Sequence, residues 1–343
     1  MSESELASFP ITILPSGTNL SCRSDETLLD SCINAGIGVP YNCRSGECGE
    51  CLASLVSGTT RELPGADPAI FNDAHRARGD ILMCMCFPRS SIVLNVPIGA
   101  VENVIRPSTF NVTVSRVERL CATVYGVTVE APQHIEFHAG QNFQWIVQGV
   151  TPNRTYSAAN RPGTGAIDFH VRVYPGGKIG AFVSRMSVGQ SFEMMGPFGN
   201  FALSGNEWRP CVLVAGGTGL APIVSVLDEA FSKGNRRPTT LYYGTRSQAD
   251  LYCLDLLRNW SNRFPSFRFV PVLSHEPSDS DWMGSRGMVT DALAPSLVDA
   301  FGLEAYVCGP PAMIDATLGL LESAGIPPED IRTDRFVQVK NSP

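Results

Sequence analysis

The chain has 343 residues, 43% of them hydrophobic and 17% charged, with 26 basic against 33 acidic side chains and a formal net charge of −7. That length accommodates two or three domains of ordinary globular composition, and the acidic balance disfavours nucleic acid as a partner. The opening MSESELASFPITILPSG has neither a basic nor an apolar targeting region and no apolar run reaches the length of a membrane span, so a cytoplasmic protein without membrane spans is expected.

Residues 1 to 98 read as a small domain of strands and one helix. FPITILPSG and NLSCRS form a hairpin-like pair around Ser16 and Gly17, and DETLLDSCINAGIGVP has helical spacing with Asp25 as the expected N-cap. CRSGECGEC then sets Cys43, Cys48 and Cys51 at the C-x4-C-x2-C spacing of a plant-type [2Fe–2S] cluster. Gly46 and Gly49 between the thiols allow the loop to curl, so that backbone N–H groups point at sulfur. A structural zinc site and a disulfide pair are the competing readings; zinc favours two short C-x2-C knuckles, and disulfides suit exported chains. The strand CLASLVSG follows, then a looser stretch to Gly79, ILMCMC (Ile81–Cys86) and the strand SIVLNVP. Among the eleven cysteines, Cys22, Cys32, Cys121, Cys211 and Cys253 read as small core residues.

CRSGECGEC followed by LMCMCFP resembles the ferredoxin module of the reductases that serve bacterial multicomponent oxygenases. The resemblance implies a β-grasp ferredoxin fold and makes Cys84 the fourth ligand. Cys86 stays open as an alternative, because on a strand the two thiols would face the same side.

Val96–Ser108, punctuated by Pro97, Gly99 and Pro107, reads as a linker. From 108 to 205 come the short strands FNVTVSRVERL, CATVYGVTVEA, FQWIVQG, AIDFHVRVY and SFEMMG, which predict a closed antiparallel β-barrel. RTYS (Arg154–Ser157), the glycine turn twenty residues on and GPFGNF (Gly196–Phe201) together resemble the flavin domain of the ferredoxin–NADP reductase superfamily. That resemblance implies FAD, not FMN. It places Arg154 on the pyrophosphate, Tyr156 on the isoalloxazine ring and the Ser157 hydroxyl near flavin N5. Gly176, Gly177, Lys178 and Gly180 correspond to the turn that cradles phosphates; glycine stands at 180 where the family usually has Ser or Thr, so one side-chain hydrogen bond is expected to be missing. His170 and Arg172, on the strand before the turn, are further cofactor-binding candidates.

Residues 206 to 343 alternate strand and helix: PCVLVAG, GLAPIVSVLDEAFSKG, TLYYGT, QADLYCLDLLRNW, FRFVPVLSHE, VTDALAPSLVDAF, EAYVCG, PAMIDATLGLLESAG and IRTDRFV. This pattern predicts a doubly wound, mostly parallel α/β sheet. GGTGLAP resembles the superfamily's nucleotide turn and implies pyrophosphate donors at Gly217, Thr218 and Gly219. YVCGPPAM resembles its CGPPxM motif, with Cys308, Gly309 and Pro310 beside the nicotinamide and Cys308 positioning, not attacking. Phe336 resembles the aromatic that covers the flavin. Arg246 is the cation nearest a 2′-phosphate, but Asp250 follows one turn on, so NADH is expected over NADPH.

Taken together, the multidomain α+β and α/β chain is expected to carry a [2Fe–2S] cluster, FAD and NADH, with Ser157 and Cys308 at the reacting centre. The resemblance implies a monomeric reductase of aromatic or alkene hydrocarbon catabolism, passing electrons to an oxygenase hydroxylase component or to a Rieske or other ferredoxin. A reductase for another acceptor, or a non-enzymatic redox carrier or sensor, are the alternatives.

Overall fold

The structure is a computed structural model and describes residues 7–96, 104–204, 208–298 and 300–336. Residues 97–103 of the expected linker and the tail beyond Phe336 lie outside the described residues. The chain divides into two compact units, Met1–Ser108 with Gly196–Asn200, and Thr109–Met195 with Phe201–Pro343.

In the first unit, β1 (Ser8–Leu14) and β2 (Thr18–Arg23) pair antiparallel with Ile11 opposite Leu20. Helix α1 (Leu28–Asn34) buries Leu28, Leu29, Cys32 and Ile33. Its cap is Thr27, whose hydroxyl accepts from Asp30 N at 3.0 Å, and not the expected Asp25, which pairs with Arg23. Asp25 sits too early: the first helical residue is three positions further on. After it come β3 (Leu52–Ser57), β4 (Thr60–Glu62), α2 (Asp73–Ala77), β5 (Asp80–Leu82), β6 (Cys86–Pro88) and β7 (Ile92–Asn95). The stretch to Gly79 is therefore more ordered than its composition indicates, because Asn72 and His75 cap α2 reciprocally. The main sheet runs β2-β1-β7-β3-β5, with β1 and β7 parallel and the other pairs antiparallel, while β4 and β6 form a separate ribbon. A helix held against such a mixed sheet is the β-grasp arrangement expected.

The next elements are β8 (Ser108–Arg119), β9 (Val124–Glu130), β10 (Asn142–Ile146), β11 (Arg154–Ser157), β12 (Ala166–Arg172), α3 (Lys178–Val183) and β13 (Ser191–Phe198), which lie in the second unit but for Ser108 and the end of β13 from Gly196. The sheet order is β11-β10-β13-β8-β9-β12, and a bridge between Ala158 and Phe169 brings its two edges together into a nearly closed barrel. Alternation along β12 sends Ile167, Phe169 and Val171 inward against Phe143 and Trp145, and leaves His170 and Arg172 on the outer face.

The α/β layer contains β14 (Cys211–Gly216), α4 (Leu220–Ser232), β15 (Thr239–Thr245), α5 (Leu254–Arg263), β16 (Phe267–Leu273), β17 (Ser285–Arg286), α6 (Val289–Leu293), β18 (Glu304–Gly309), α7 (Pro311–Ser323) and β19 (Ile331–Arg335). All pairs in the order β17-β16-β15-β14-β18-β19 are parallel. Every residue of β14 and β18 is buried, as strands covered on both faces require. The chain winds outward from β14 and then returns to lay β18 on its other side. The switch point where such sheets bind ligands therefore lies between the ends of β14 and β18. Two expected helices are shorter than their periodicity. Helix α5 begins at Leu254, after a 3-10 turn (Gln248–Asp250) and a left-handed Cys253, and α6 gives way to a 3-10 turn at Ala294 and Pro295.

Candidate cofactor sites

The cluster loop curls through three left-handed residues, Arg44 (φ +57°), Gly46 (φ +78°) and Gly49 (φ +78°). A Cβ on Gly49 would come within 2.9 Å of Ile70 Cγ2, so the loop needs glycine there for space as well as for conformation. The backbone N–H groups of Ser45 and Glu47 each point at Cys43 Sγ from 3.4 Å. Cys48 also donates to Cys43, and this contact first, then the Ser45 and Glu47 donors, holds the Cys43 thiol below the ordinary range. Cys84 sits on a 3-10 turn (Met83–Met85) and meets Cys51, whose thiol is pushed well up by that contact and by burial.

Cys84 and Cys86 do not share a strand, contrary to the expectation. The 3-10 turn ends where β6 begins, and Cys86 turns toward Thr60, with burial pushing its thiol up to about 12. The four expected ligands thus come as two pairs, Cys43 with Cys48 and Cys51 with Cys84. Among the described residues no three metal-ligating side chains converge on a single ion. A two-iron cluster takes two thiolates on each iron, and paired thiols with inward-facing amides suit it.

In the barrel, RTYS forms β11, with Ser157 opposite Asn142 and Tyr156 opposite Phe143. The Tyr156 ring packs on Trp145 with centroids 4.7 Å apart, and the Arg154 guanidinium donates to the Pro152 carbonyl. Gly176 and Gly177 lead into α3, where Gly177 is the N-cap and Lys178 the first helical residue, with no side chain capping the first turn. Gly180 follows in that turn. A Cβ there would lie 3.2 Å from the Tyr174 carbonyl oxygen and 3.4 Å from Val173 Cβ, a tight fit that a Ser or Thr would need a small shift to enter.

His170 and Arg172 face the α/β layer. His170 meets Tyr252, and burial lowers the imidazole to about 4, which keeps it neutral at pH 7. The Arg172 guanidinium lies against Gly217 (φ +55°), where a Cβ would approach Nη2 to 3.0 Å. Its Nε is buried without a partner, an orphaned cationic donor at the glycine turn that suits a phosphate. Thr218 is half-buried, and Gly219 packs so closely on the CGPP turn that a Cβ would meet Cys308 O at 2.1 Å. Glycine at 219 is thus required by the neighbouring turn, independently of any ligand.

Cys308, fully buried at the end of β18, has its thiol held far above the ordinary range by burial and then by the charge of Asp334. It is a neutral thiol, as a positioning role requires. Gly309 accepts from the Phe336 N–H at 2.9 Å, which fixes Phe336 beside this turn, and Pro310 caps α7. Asp334, on β19 and only 4% exposed, accepts from Ser157 Oγ at 3.3 Å and also contacts the Cys308 thiol. It joins the expected barrel serine to the expected strand-end cysteine, and sequence reasoning missed it. The available signal was a lone carboxylate inside the last strand, IRTDR. Arg246 is exposed; Asp250, expected to oppose it, instead caps the 3-10 turn by accepting from Ser247 N and Oγ. Carboxylates do gather nearby, since the Gln248 amide donates to Glu276 at 2.8 Å and Asp281 at 3.0 Å.

Family models match along nearly the whole chain: a 2Fe-2S iron-sulfur cluster binding domain over 11–89, an oxidoreductase FAD-binding domain over 111–203 and an oxidoreductase NAD-binding domain over 213–318. The xylene/toluene monooxygenase electron transfer component of Pseudomonas putida is 32% identical, with 95% of this chain and 93% of that protein aligned. The aromatic O-demethylase reductase subunit of an Amycolatopsis species is also 32% identical, covering 93% and 96%. Among solved structures, the Amycolatopsis cytochrome P450 reductase superposes with a TM-score of 0.83 at 30% identity, covering 96% and 98%. The ferredoxin reductase of carbazole 1,9a-dioxygenase gives 0.72 at 26% identity, covering 98% and 100%. No helix among the described residues is long and apolar enough to cross a membrane. With its [2Fe–2S], FAD-binding and NAD-binding domains in this order, the chain belongs to the iron–sulfur flavoprotein reductases that are the reductase components of multicomponent oxygenases.

Proposed function

We propose that this protein oxidises NADH and delivers the electrons, one at a time, to an oxygenase hydroxylase component or to a ferredoxin that serves one. The observation that carries the reading is the meeting of Ser157 and Cys308 on Asp334, because it brings the flavin-side and nicotinamide-side motifs to one point. When bound, FAD accepts a hydride from NADH and the cluster carries single electrons onward; the protein sets distance, orientation and access.

Within that division of labour, Arg154 and the Gly176–Gly180 turn hold the FAD phosphates and Tyr156 offers its ring face. Ser157, oriented by Asp334, presents its hydroxyl to the reacting edge of the flavin. Arg172 and the Gly217–Gly219 turn take the nucleotide pyrophosphate, with the N-terminus of α4 adding attraction for the anion. Cys308, kept protonated, packs beside the nicotinamide together with Gly309, Pro310 and Phe336. Cys43, Cys48, Cys51 and Cys84 ligate the two irons. Glu276 and Asp281, gathered on Gln248 in the loops that follow β15 and β16, disfavour a 2′-phosphate, so NADH is the preferred donor. The same reading has domain limits at 1–98, 108–205 and 206–343, a monomer, and a reducing cytoplasmic setting that suits eleven free cysteines.

Anaerobic titration tests this. NADH should bleach the flavin absorbance and then the cluster absorbance of the reconstituted protein, with a higher kcat/KM than NADPH. Flavin that stays oxidised under excess NADH would leave a redox carrier or sensor, and equal or faster reduction by NADPH would remove the coenzyme assignment alone.

A further inference from the structure

The segment Leu251–Cys253 departs from the helix that its sequence pattern predicts. Cys253 takes a left-handed conformation (φ +58°), which is unfavourable for a residue with a Cβ, and α5 starts only at Leu254. The departure places the Tyr252 ring, 3% exposed, edge-on to His170 with centroids 5.1 Å apart and planes at 89°. Tyr252 Oη lies 3.3 Å from His170 Nδ1 and 3.4 Å from the Gly217 carbonyl oxygen. The hydroxyl has one proton. Both contacts form together only if His170 carries its proton on Nδ1 and donates it to Tyr252 Oη, while Tyr252 donates to Gly217 O. The other side of that carbonyl accepts the Leu220 N–H and closes the turn.

A trans peptide is planar, so the Thr218 N–H points opposite to the Gly217 carbonyl. Holding the carbonyl therefore sets the direction of the amide. Gly217 sits at φ +55°, where glycine has little preference of its own, so the Leu220 N–H within the turn and the Tyr252 hydroxyl from outside it together hold the carbonyl. Arg172, against the same peptide, contributes charge but has no hydrogen bond to the carbonyl that would orient it.

We propose that His170 and Tyr252 are positioning residues for nucleotide binding: a relay from the flavin barrel through the Tyr252 hydroxyl locks the Gly217–Thr218 peptide so that Thr218 N–H faces a pyrophosphate. This rests on the assignment of Gly217–Gly219 as the pyrophosphate turn. It assigns a role to Tyr252, which lies outside the motifs identified in the sequence above, and it gives His170 a task other than direct contact with a cofactor.

The test uses the full-length, FAD- and cluster-loaded protein with ADP-ribose and NADH as probes. Tyr252→Phe keeps the ring and removes the relay. The Kd for ADP-ribose and the KM for NADH should rise together by roughly fivefold, the equivalent of one net hydrogen bond, with the loss in binding and not in kcat. His170→Phe should give a similar rise, and the double variant should rise no further, because the two act as one unit. His170→Gln, whose amide can donate, should recover most of the affinity lost in His170→Phe. An unchanged Kd in Tyr252→Phe would overturn the proposal. So would additive losses in the double variant, or lost FAD with Kd intact, which marks simple packing. If the wild-type protein itself fails to bind ADP-ribose, the pyrophosphate assignment falls and the relay with it.

Discussion

Cys84 and Cys86 offer a volume-matched test of the cluster assignment. They are 5% and 1% exposed, so replacing either by Ala deletes one buried sulfur. The transfer and small-cavity cost of losing one heavy atom in a core is about 1 kcal/mol, which in a unit of this size lowers the unfolding midpoint by roughly 5 °C. If neither thiol held iron, the two variants would be indistinguishable. Ligation separates them. Cys84 stands against Cys51 on a 3-10 turn, so Cys84→Ala leaves one iron with a single protein thiolate. That variant should lose its iron and its visible absorbance, and should be destabilised well beyond the packing cost, because cluster binding is coupled to folding. Cys86→Ala removes a protonated thiol beside Thr60 and should keep full iron content with only the small shift. The assay is colorimetric iron determination, with visible circular dichroism followed on heating. Retention of iron in Cys84→Ala, or its loss in Cys86→Ala, would refute the pairing argued here.

Asp334→Asn preserves shape but withdraws the charge that accepts from Ser157, a hydrogen bond of the stronger, charged kind. Anaerobic flavin reduction at saturating NADH should slow about tenfold by stopped flow with FAD retained; a rate within twofold of wild type would remove Asp334 from the reacting centre. His170 supplies a pH dependence: its unfolded value of 6.5 falls to about 4 in the fold through burial. Between these values the unfolded chain binds a proton that the folded chain refuses, so stability is full above 6.5 and declines as pH falls toward 4. His170→Gln should flatten the fall of the thermal midpoint over that window, and parallel profiles for the two proteins would contradict the assignment.

The order of the cofactor domains was legible in the sequence because their signals are local. Three thiols and two glycines within nine residues make a cluster loop whatever surrounds them, and the period-2 alternation of β12 or the wholly apolar β14 needs only neighbouring residues to be read. The same locality explains the limits. Asp25 looked like a helix cap because it precedes the apolar pattern, yet Thr27 caps α1; a cap is chosen by backbone geometry at the first turn. Glycine at 180 reads as a lost hydrogen bond, and the crowding there, with the Tyr174 carbonyl oxygen 3.2 Å from where a Cβ would lie, shows in no local pattern. Cys84 and Cys86 looked equivalent on an assumed strand, and a 3-10 turn turned one toward Cys51 and the other toward Thr60. Asp334 is 177 residues from the Ser157 it holds, and Tyr252 leaves its helical pattern to reach His170 and Gly217. No local pattern encodes such contacts. They exist only because packing the barrel against the parallel sheet brings distant side chains together and then demands that each buried polar atom find a partner.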